Sequence, residues 1–299
     1  MVFGSKNKTQ FQGRMDWVAP HLTGGIGNRL FEFAAAAGLA EKWGRPAAFF
    51  LPRCSSTDHG PFENIFKLFP SVPLVESAES WETLEEPRDH MYRYIPFSDI
   101  PVSGPAVVHG YRQSAKYFPS GGVKADFEAA LGPEKAAMIR SKIPRNAWFI
   151  HVRLGDYKIL QHHQVNLKGY YETCLNRIPR GAPLILFSDE PDLCSEYFMI
   201  EAGSRSLDFS VCTNKDELVN LYMMSLCGGG AITANSTFSW WGAYFAWQNA
   251  TQNAWDNAWQ NGGTAFQAFY PSVWGQGMPP PVDLIPSWGV CIDTDEASE

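Results

Sequence analysis

The chain has 299 residues, a formal net charge of −7 and 18% charged residues. This length gives one large or two modest domains and buries roughly three quarters of the unfolded surface, so no staple is required to hold the fold. The negative balance excludes nucleic acid as a major partner, because a phosphate backbone needs basic patches. It leaves open a small anionic ligand, which needs only one or two local cations.

Aromatic residues make up 14% of the chain, with 11 Trp. Two readings are open: a Trp-rich core, or rings that line a sugar site with their flat apolar faces. The six cysteines, Cys54, Cys174, Cys194, Cys212, Cys227 and Cys291, have no CxxC or zinc spacing, and they read mainly as reduced core residues. No run of about 18 apolar residues is present, so no membrane span is expected. The segment MVFGSKNKTQ lacks the apolar stretch of a signal peptide. The expectation is a cytoplasmic protein as encoded, with a Golgi-lumenal or membrane-associated setting as the alternative if an anchor is missing from this chain. Sequons stand at Asn7, Asn235 and Asn249; the one at Asn235 reads as accidental.

In chain order, residues 1–15 read as a loose arm. Trp17 to Leu22 reads as a strand entering the turn Thr23-Gly24-Gly25-Ile26-Gly27-Asn28, followed by a helix from about Arg29 to Trp43 with Gly44 as its stop. Ala47 to Leu51 and Ala106 to His109 read as further strands, the latter running into Gly110-Tyr111-Arg112-Gln113-Ser114 and a short helix. Residues 123–142 read as helical, ended by Pro144. From near Asn146 to about Ala250 strands and helices alternate, the pattern of a parallel sheet. Asp216 to Leu226 is an amphipathic helix before Gly228-Gly229-Gly230. Residues 251–264 read as a loop, and the last stretch, 276–299, as a Pro-rich acidic tail. Its Asp293-Thr294-Asp295 has the DxD spacing of a metal site, but in such a tail it reads as solvated charge.

Three apolar strands of the second half run straight into polar loops. They are Trp148–Val152 before Arg153-Leu154-Gly155-Asp156-Tyr157, Leu184–Phe187 before Ser188-Asp189-Glu190, and Ala231–Ala234 before Asn235-Ser236-Thr237-Phe238. In an open α/β sheet, ligands sit at the carboxyl ends of the strands, so the three loops are expected to converge on one site suited to a nucleotide diphosphate. Arg153 reads as a phosphate clamp, since the guanidinium fork matches phosphate oxygens, or as the partner of Asp156. His151 reads as a site residue or a satisfied core histidine. Asp189 reads as a ligand contact or a helix cap. Ser236, Thr237 and Phe238 open a helix, and they read as a pyrophosphate-facing turn or as plain capping. The turn around Gly25, Gly27 and Asn28 reads as a ligand contact or a tight packing turn.

Together these segments resemble the α-1,2-fucosyltransferase family. GGIGNRLFEFAAAAGLAEKWGR resembles its GGxGNQLFxYAxGxALA pattern, HVRLGDY its HxRRGDY motif, and FSDE its FSDD-type turn. HGYRQSAKYF is similar to its GYxQSxKYF segment, ANSTFSWWGAYF to its NSTFSWWAAWL motif and FYPSVWG to its terminal P-x-x-W. The resemblance runs from about residue 20 to about 275. It implies an α/β fold of the GT-B type, with two Rossmann-like domains facing across a donor/acceptor cleft. The N-terminal, acceptor-side domain is expected over 16–145 and the C-terminal, GDP-fucose-binding domain over 146–275.

The same resemblance implies an inverting, metal-independent transferase that moves L-fucose from GDP-fucose to a sugar hydroxyl, expected to be galactose O2 of a galactose-containing glycan. It implies no cofactor, GDP-fucose being co-substrate. Arg153 matches the arginine that holds the donor β-phosphate, and His151 and Asp156 match the other polar positions of that motif. Gly25, Gly27 and Asn28 match a loop near the sugar; Ser236, Thr237 and Phe238 match the pyrophosphate-facing turn. Asn220 stands where the family carries an aspartate able to meet the guanine edge. Leu154 replaces a second arginine, and Arg29 replaces a glutamine. Arg29 is expected either to approach the donor phosphates in compensation, or to be a solvated residue or a partner of Glu32 or Glu41. Asp156 is the first candidate for the general base, with Glu32 and Asp189 behind it. Two rival readings share these features: a GT-B transferase using another sugar nucleotide, and a sugar-binding pseudoenzyme.

Overall fold

The computed structural model describes residues 16–54, 61–87, 91–252 and 265–294. The expected arm at 1–15, most of the 251–264 loop, Asn7 and Asp295 lie outside the described residues. The chain divides into two units, Met1–Ala130 and Leu131–Glu299.

In the first unit the elements run β1 (Val18–Pro20), α1 (Ile26–Trp43), β2 (Phe49–Phe50), α2 (Glu63–Leu68), β3 (Leu74–Val75), β4 (Glu82–Leu84) and β5 (Ala106–Val108). All the pairings are parallel: β5 lies between β1 and β4, and β2 pairs with β3. A parallel bridge from Val18 to Ala47 places β2 beside β1, giving the order β3-β2-β1-β5-β4. Ala35, Ala36, Leu39 and Ala40 of α1 pack on Val18, Ala106, Val108 and Tyr117, whereas Ala37 and Gly38 are half-buried and Glu41 is exposed. The helix starts at Ile26, earlier than the expected Arg29, because Gly25 serves as N-cap and Ile26 is already buried. Gly24, at φ +66°, makes the left-handed turn that delivers the chain to that cap.

The expected single helix over 123–142 is two: α3 (Phe127–Leu131) and α4 (Pro133–Arg140). Gly132 at φ +85° interrupts it, and Pro133 restarts it at the first helical position, where its missing N–H costs nothing. α4 belongs to the second unit, so the division falls after Ala130 and not at the expected 145/146. Arg140 Nε donates to the Tyr222 hydroxyl at 3.2 Å, which ties α4 to that unit.

The second unit continues with β6 (Trp148–Val152), α5 (Lys168–Leu175), β7 (Pro183–Ser188), α6 (Pro191–Ser204), β8 (Asp208–Val211), α7 (Glu217–Ser225), β9 (Gly230–Ile232), α8 (Thr237–Gln252), β10 (Gln267–Pro271) and β11 (Val290–Ile292). The six strands form one parallel sheet in the order β8-β7-β6-β9-β10-β11. Each interior strand is covered on both faces, which is why β6 and β7 read as unbroken apolar runs. Trp148, Ile150, Val152, Leu184 and Leu186 face a core with Tyr170, Tyr171, Cys174 and Phe198. By the two-residue period Phe149, His151 and Phe187 point to the opposite face.

The reading of residues 276–299 as a tail is corrected. Leu284 is buried and its carbonyl accepts from Trp240 Nε1 at 2.8 Å. Val290–Ile292 adds the last parallel strand, and Thr294 N donates to Ser272 Oγ at 3.1 Å. The prolines are tolerated because they precede an edge strand. Asp293 of the DxD-like triplet accepts from Ser272 at 3.3 Å. The Trp-rich core reading holds for Trp17, Trp148, Trp240, Trp241 and Trp274, all buried. All six cysteines are free thiols, and four of them are buried. No helix among the described residues is long and apolar enough to cross a membrane.

Candidate functional site

The chain builds β6, β7 and β8 outward to one edge, then returns to lay β9 on the other side of β6 and proceeds through β10 to β11. This is the strand order of a Rossmann-type nucleotide-binding sheet, and the loops after β6 and β9 part at its switch point, where such sheets bind ligands. The Arg153 loop follows β6 and the Asn235–Phe238 loop follows β9. The Asp189 loop follows the neighbouring β7. The structure therefore brings together the three loops singled out in the sequence.

Hydrogen bonds join them. Arg153 Nε donates to Asp156 Oδ1 at 3.0 Å, Nη2 forms an ion pair with the same oxygen at 2.7 Å, and Nη1 lies 3.1 Å from Asp189 Oδ2. Asp189 accepts from the backbone N–H of Leu154 at 2.9 Å and of Gly155 at 3.0 Å. The capping reading of Asp189 is thereby corrected: the N-cap of α6 is Glu190, without a side-chain bond, and the carboxylate is spent on the neighbouring loop. Of the five guanidinium N–H groups these contacts engage three, and the Arg153 side chain is 30% exposed. Two directed donors remain for a ligand oxygen.

A Cβ at Gly155 would stand 2.5 Å from Asp189 Oδ2. Gly155→Ala should push that carboxylate away and misalign Arg153, with a loss in turnover on the order of 10²-fold, the cost of ångström-scale misplacement. Steady-state kinetics beside a thermal melt check this; unchanged turnover would show that the Asp189 brace is dispensable.

After β9, Asn235 is a buried crosslink. Its Nδ2 donates to the carbonyls of His163 at 3.2 Å and Trp274 at 3.1 Å, and its own carbonyl accepts from the Tyr157 hydroxyl at 3.0 Å. The sequon there is thus occupied internally. Ser239 Oγ accepts from Ala234 N at 3.1 Å and donates to the Ser236 carbonyl at 3.2 Å. Ser236 is buried, while Thr237 and Phe238 sit half-buried in the first turn of α8. The N-terminus of this long helix, with its outward N–H groups and partial positive charge, thus opens at the switch point.

His151 is 4% exposed and its Nδ1 has no hydrogen-bond partner. Burial, then the charge of Arg153, hold its pKa down to about 3, so the imidazole is neutral and adds no positive charge for a phosphate. Its ring lies 5.6 Å from that of Phe238, and its backbone carbonyl accepts from the Tyr171 hydroxyl at 2.9 Å. Asn220 lies on α7, after the edge strand β8. Its Nδ2 donates to the Asn214 carbonyl at 3.0 Å and its Oδ1 accepts from the Cys212 thiol at 3.3 Å. The amide is committed to the β8–α7 loop.

A profile of glycosyl transferase family 11 matches residues 79–275. The chain belongs to glycosyl transferase family 11. An alpha-1,2-colitosyltransferase of Escherichia coli is 26% identical over 259 residues, covering 77% of this chain and 88% of that protein. The O-antigen biosynthesis glycosyltransferase WbnK of Escherichia coli is 32% identical over 106 residues, covering 33% and 34%. Among solved structures, NodZ alpha-1,6-fucosyltransferase co-crystallized with GDP aligns at a TM-score of 0.46 and 16% identity, over 76% of this chain and 91% of that one. The chain's own parallel sheets, and not so distant a likeness, set the α/β fold. The resemblance read from the motifs is borne out at the level of the family.

The other residues expected in the site of this family 11 transferase lie in the first unit. Gly25 caps α1, Gly27 is buried in its first turn, and Asn28 accepts from Gln113 Nε2 at 3.0 Å. Glu32 accepts from Thr23 N and Oγ1 at 2.9 and 2.8 Å, and burial raises its pKa to about 8. Arg29 is 0% exposed and Nη1 donates to the Pro61 carbonyl at 2.9 Å. Both expectations that leave Arg29 accessible, as a phosphate contact or a solvated residue, are corrected: it lies on the inner face of α1. Glu41 is taken by Ser120.

Sequence reasoning missed the bracing roles of Tyr157 and Asn235. Both stood inside recognised motifs, but the bond between them spans 78 positions and has no local signal.

Proposed function

We propose that this family 11 glycosyltransferase moves L-fucose from GDP-fucose to a sugar hydroxyl, galactose O2 in α-1,2 linkage, with inversion and without a metal. The observation that carries this reading is the switch point of the second unit, where Arg153 with two uncommitted N–H groups and the N-terminus of α8 stand at the ends of adjacent strands. The motif resemblance supports fucose and inversion, and the name of the alpha-1,2-colitosyltransferase relative supports the linkage.

In such a transfer the transition state resembles an oxocarbenium ion, and negative charge builds on the β-phosphate. Arg153 and the first-turn N–H groups of α8 receive it as preorganised donors, each worth roughly 10²–10³ in rate. Asp156 and Asp189 keep the guanidinium fork in place for this. Their two charges outweigh that of Arg153 by one, and the helix N-terminus restores about half a unit. Stabilisation on this reading comes from directed N–H bonds and not from bulk positive charge.

Activity should therefore survive EDTA. No group of three or more His, Cys, Asp or Glu among the described residues is arranged to hold a metal ion. An enzyme that dies in chelator and recovers with manganese would overturn the metal-free reading.

The deciding experiment incubates the protein with a panel of sugar nucleotides and measures nucleoside diphosphate release with and without a galactoside. Acceptor-dependent release from GDP-fucose supports the proposal. Release from another donor supports the second reading, which Asn220 favours because an amide replaces the aspartate of the family pattern. Absence of release from every donor would make the chain a sugar-binding pseudoenzyme.

A further inference from the structure

A histidine outside the recognised motifs joins the two phosphate-facing loops of the second unit. After Arg153 the chain makes two short 3-10 turns, Asp156–Lys158 and Gln161–His163, and folds back on itself. The rings of Tyr157 and His163 then lie face to face, with 4.5 Å between centroids and 11° between planes. Both members of this stack are fastened to the loop after β9. The Tyr157 hydroxyl donates to the Asn235 carbonyl, and Asn235 Nδ2 donates to the His163 carbonyl. On the far side Gln276 N donates to the His162 carbonyl at 2.8 Å. The guanidinium carbon of Arg153 lies 5.8 Å from the Tyr157 ring centroid. His163 thus belongs to the clasp between the loops that part at the switch point.

The His163 ring is half-buried, and its Nδ1 is shut in without a hydrogen-bond partner. A buried N–H with no acceptor is rarer than an unused lone pair. The neutral ring therefore carries its proton on Nε2, and it offers an outward N–H and not a base. Packing alone does not call for a histidine, since a phenyl ring would stack on Tyr157 and leave no nitrogen unmet. Burial, then His162, hold the His163 pKa below its ordinary value; Asp156 raises it and Arg153 lowers it. Lys158 on the same loop is turned to Glu190, and the segments 235–237 and 274–276 bring no titratable group to the ring. The ring is accordingly neutral near pH 7. Asp156 and Asp189 bring two negative charges against the one positive charge of Arg153. A diphosphate there is held by directed N–H groups, and each further one counts.

We propose that His163 is a donor-binding residue whose Nε2–H bonds a phosphate oxygen of the nucleoside diphosphate beside Arg153. This rests on the diphosphate-donor reading above. The stack on Tyr157 sets the plane of the ring, and the Asn235 amide on its carbonyl fixes the ring against the start of α8. Arg153, the first turn of α8 and His163 then present three sets of N–H groups from three separate turns of one unit.

The test titrates GDP and inorganic pyrophosphate by calorimetry. His163→Phe keeps the stack on Tyr157 and removes the N–H. It should weaken both ligands by about 10–10²-fold, the range of a hydrogen bond to a charged group, with the melting temperature of wild type. His163→Gln places an amide N–H where Nε2 stands and should recover most of the loss. His163→Asn, whose amide reaches only the Nδ1 position, should not. Because the donor is a neutral ring, the ratio of wild-type to His163→Phe affinity should be the same at pH 7 and pH 8. Nitrogen-15 NMR of the histidines should show the Nε2–H tautomer in the free protein and a shift at Nε2 with either ligand. Wild-type affinity in His163→Phe overturns the assignment, whether or not turnover falls. Equal losses in His163→Gln and His163→Asn overturn it too, marking a purely structural ring, as does an Nδ1–H tautomer. Pyrophosphate binding that responds to His163→Phe, in a protein that does not bind GDP, would refute the GDP-fucose reading alone; a wild type that binds neither ligand refutes both.

Discussion

Arg153→Lys should reduce transfer by about 10²-fold or more and weaken donor binding, with the fold intact. In the structure Arg153 makes three simultaneous contacts, two to Asp156 Oδ1 and one to Asp189 Oδ2, and still has two N–H groups to give. A lysine ammonium has three donors in all and no planar fork. It can neutralise one carboxylate and reach a phosphate, but not brace both carboxylates and bind a phosphate in a fixed direction. The fold should survive because Asp189 remains anchored by the Leu154 and Gly155 N–H groups and the side chain is partly exposed. Calorimetric titration with GDP, steady-state kinetics and a thermal melt separate the three effects. Turnover near that of wild type in Arg153→Lys would sink the assignment of Arg153 to the donor phosphates.

The second unit was legible because its physics is local. Trp148–Val152 and Pro183–Ser188 are apolar on both faces, so their composition declares a buried parallel sheet, and the polar residues that end them are the switch-point loops. What escaped the sequence depends on distance along the chain. The last strand was hidden because the prolines before Val290 resemble a tail, and only pairing with Phe269–Pro271 makes Val290–Ile292 a strand. Asp189 was read as a cap because a cap is the local use of an aspartate before a helix; its partners lie 34 and 35 positions earlier. Helical spacing marks the apolar side of α1 but gives Arg29 and Glu32 to solvent by default, and the structure buries both.

Arg29→Ala should destabilise the fold by about 3–5 kcal/mol, the usual cost of breaking a buried charged contact, and leave affinity for GDP-fucose unchanged. Arg29 is 0% exposed, donates to the Pro61 carbonyl, and its charge favours the ionised form of Glu32. Its removal leaves a cavity and an unmet carbonyl, and Glu32 can evade the rest of the cost by holding a proton. That response has a definite sign. Burial has already raised the Glu32 pKa from 4.5 to about 8, so the folded state binds a proton that the unfolded state has released. The stability from this site is fully present below about pH 4.5, falls as pH rises towards 8, and is level above it, a span of roughly 5 kcal/mol at about 1.4 per pH unit. Without Arg29 the Glu32 pKa rises further and the decline extends to higher pH. Glu32→Gln removes the titrating group, so that variant should lose the slope and gain on wild type between pH 5 and pH 9. Urea unfolding at those two pH values, for wild type and both variants, checks the account. Parallel pH dependence in wild type and Glu32→Gln would remove Glu32 as the cause, and an unchanged midpoint in Arg29→Ala would show that its burial contributes nothing to the fold.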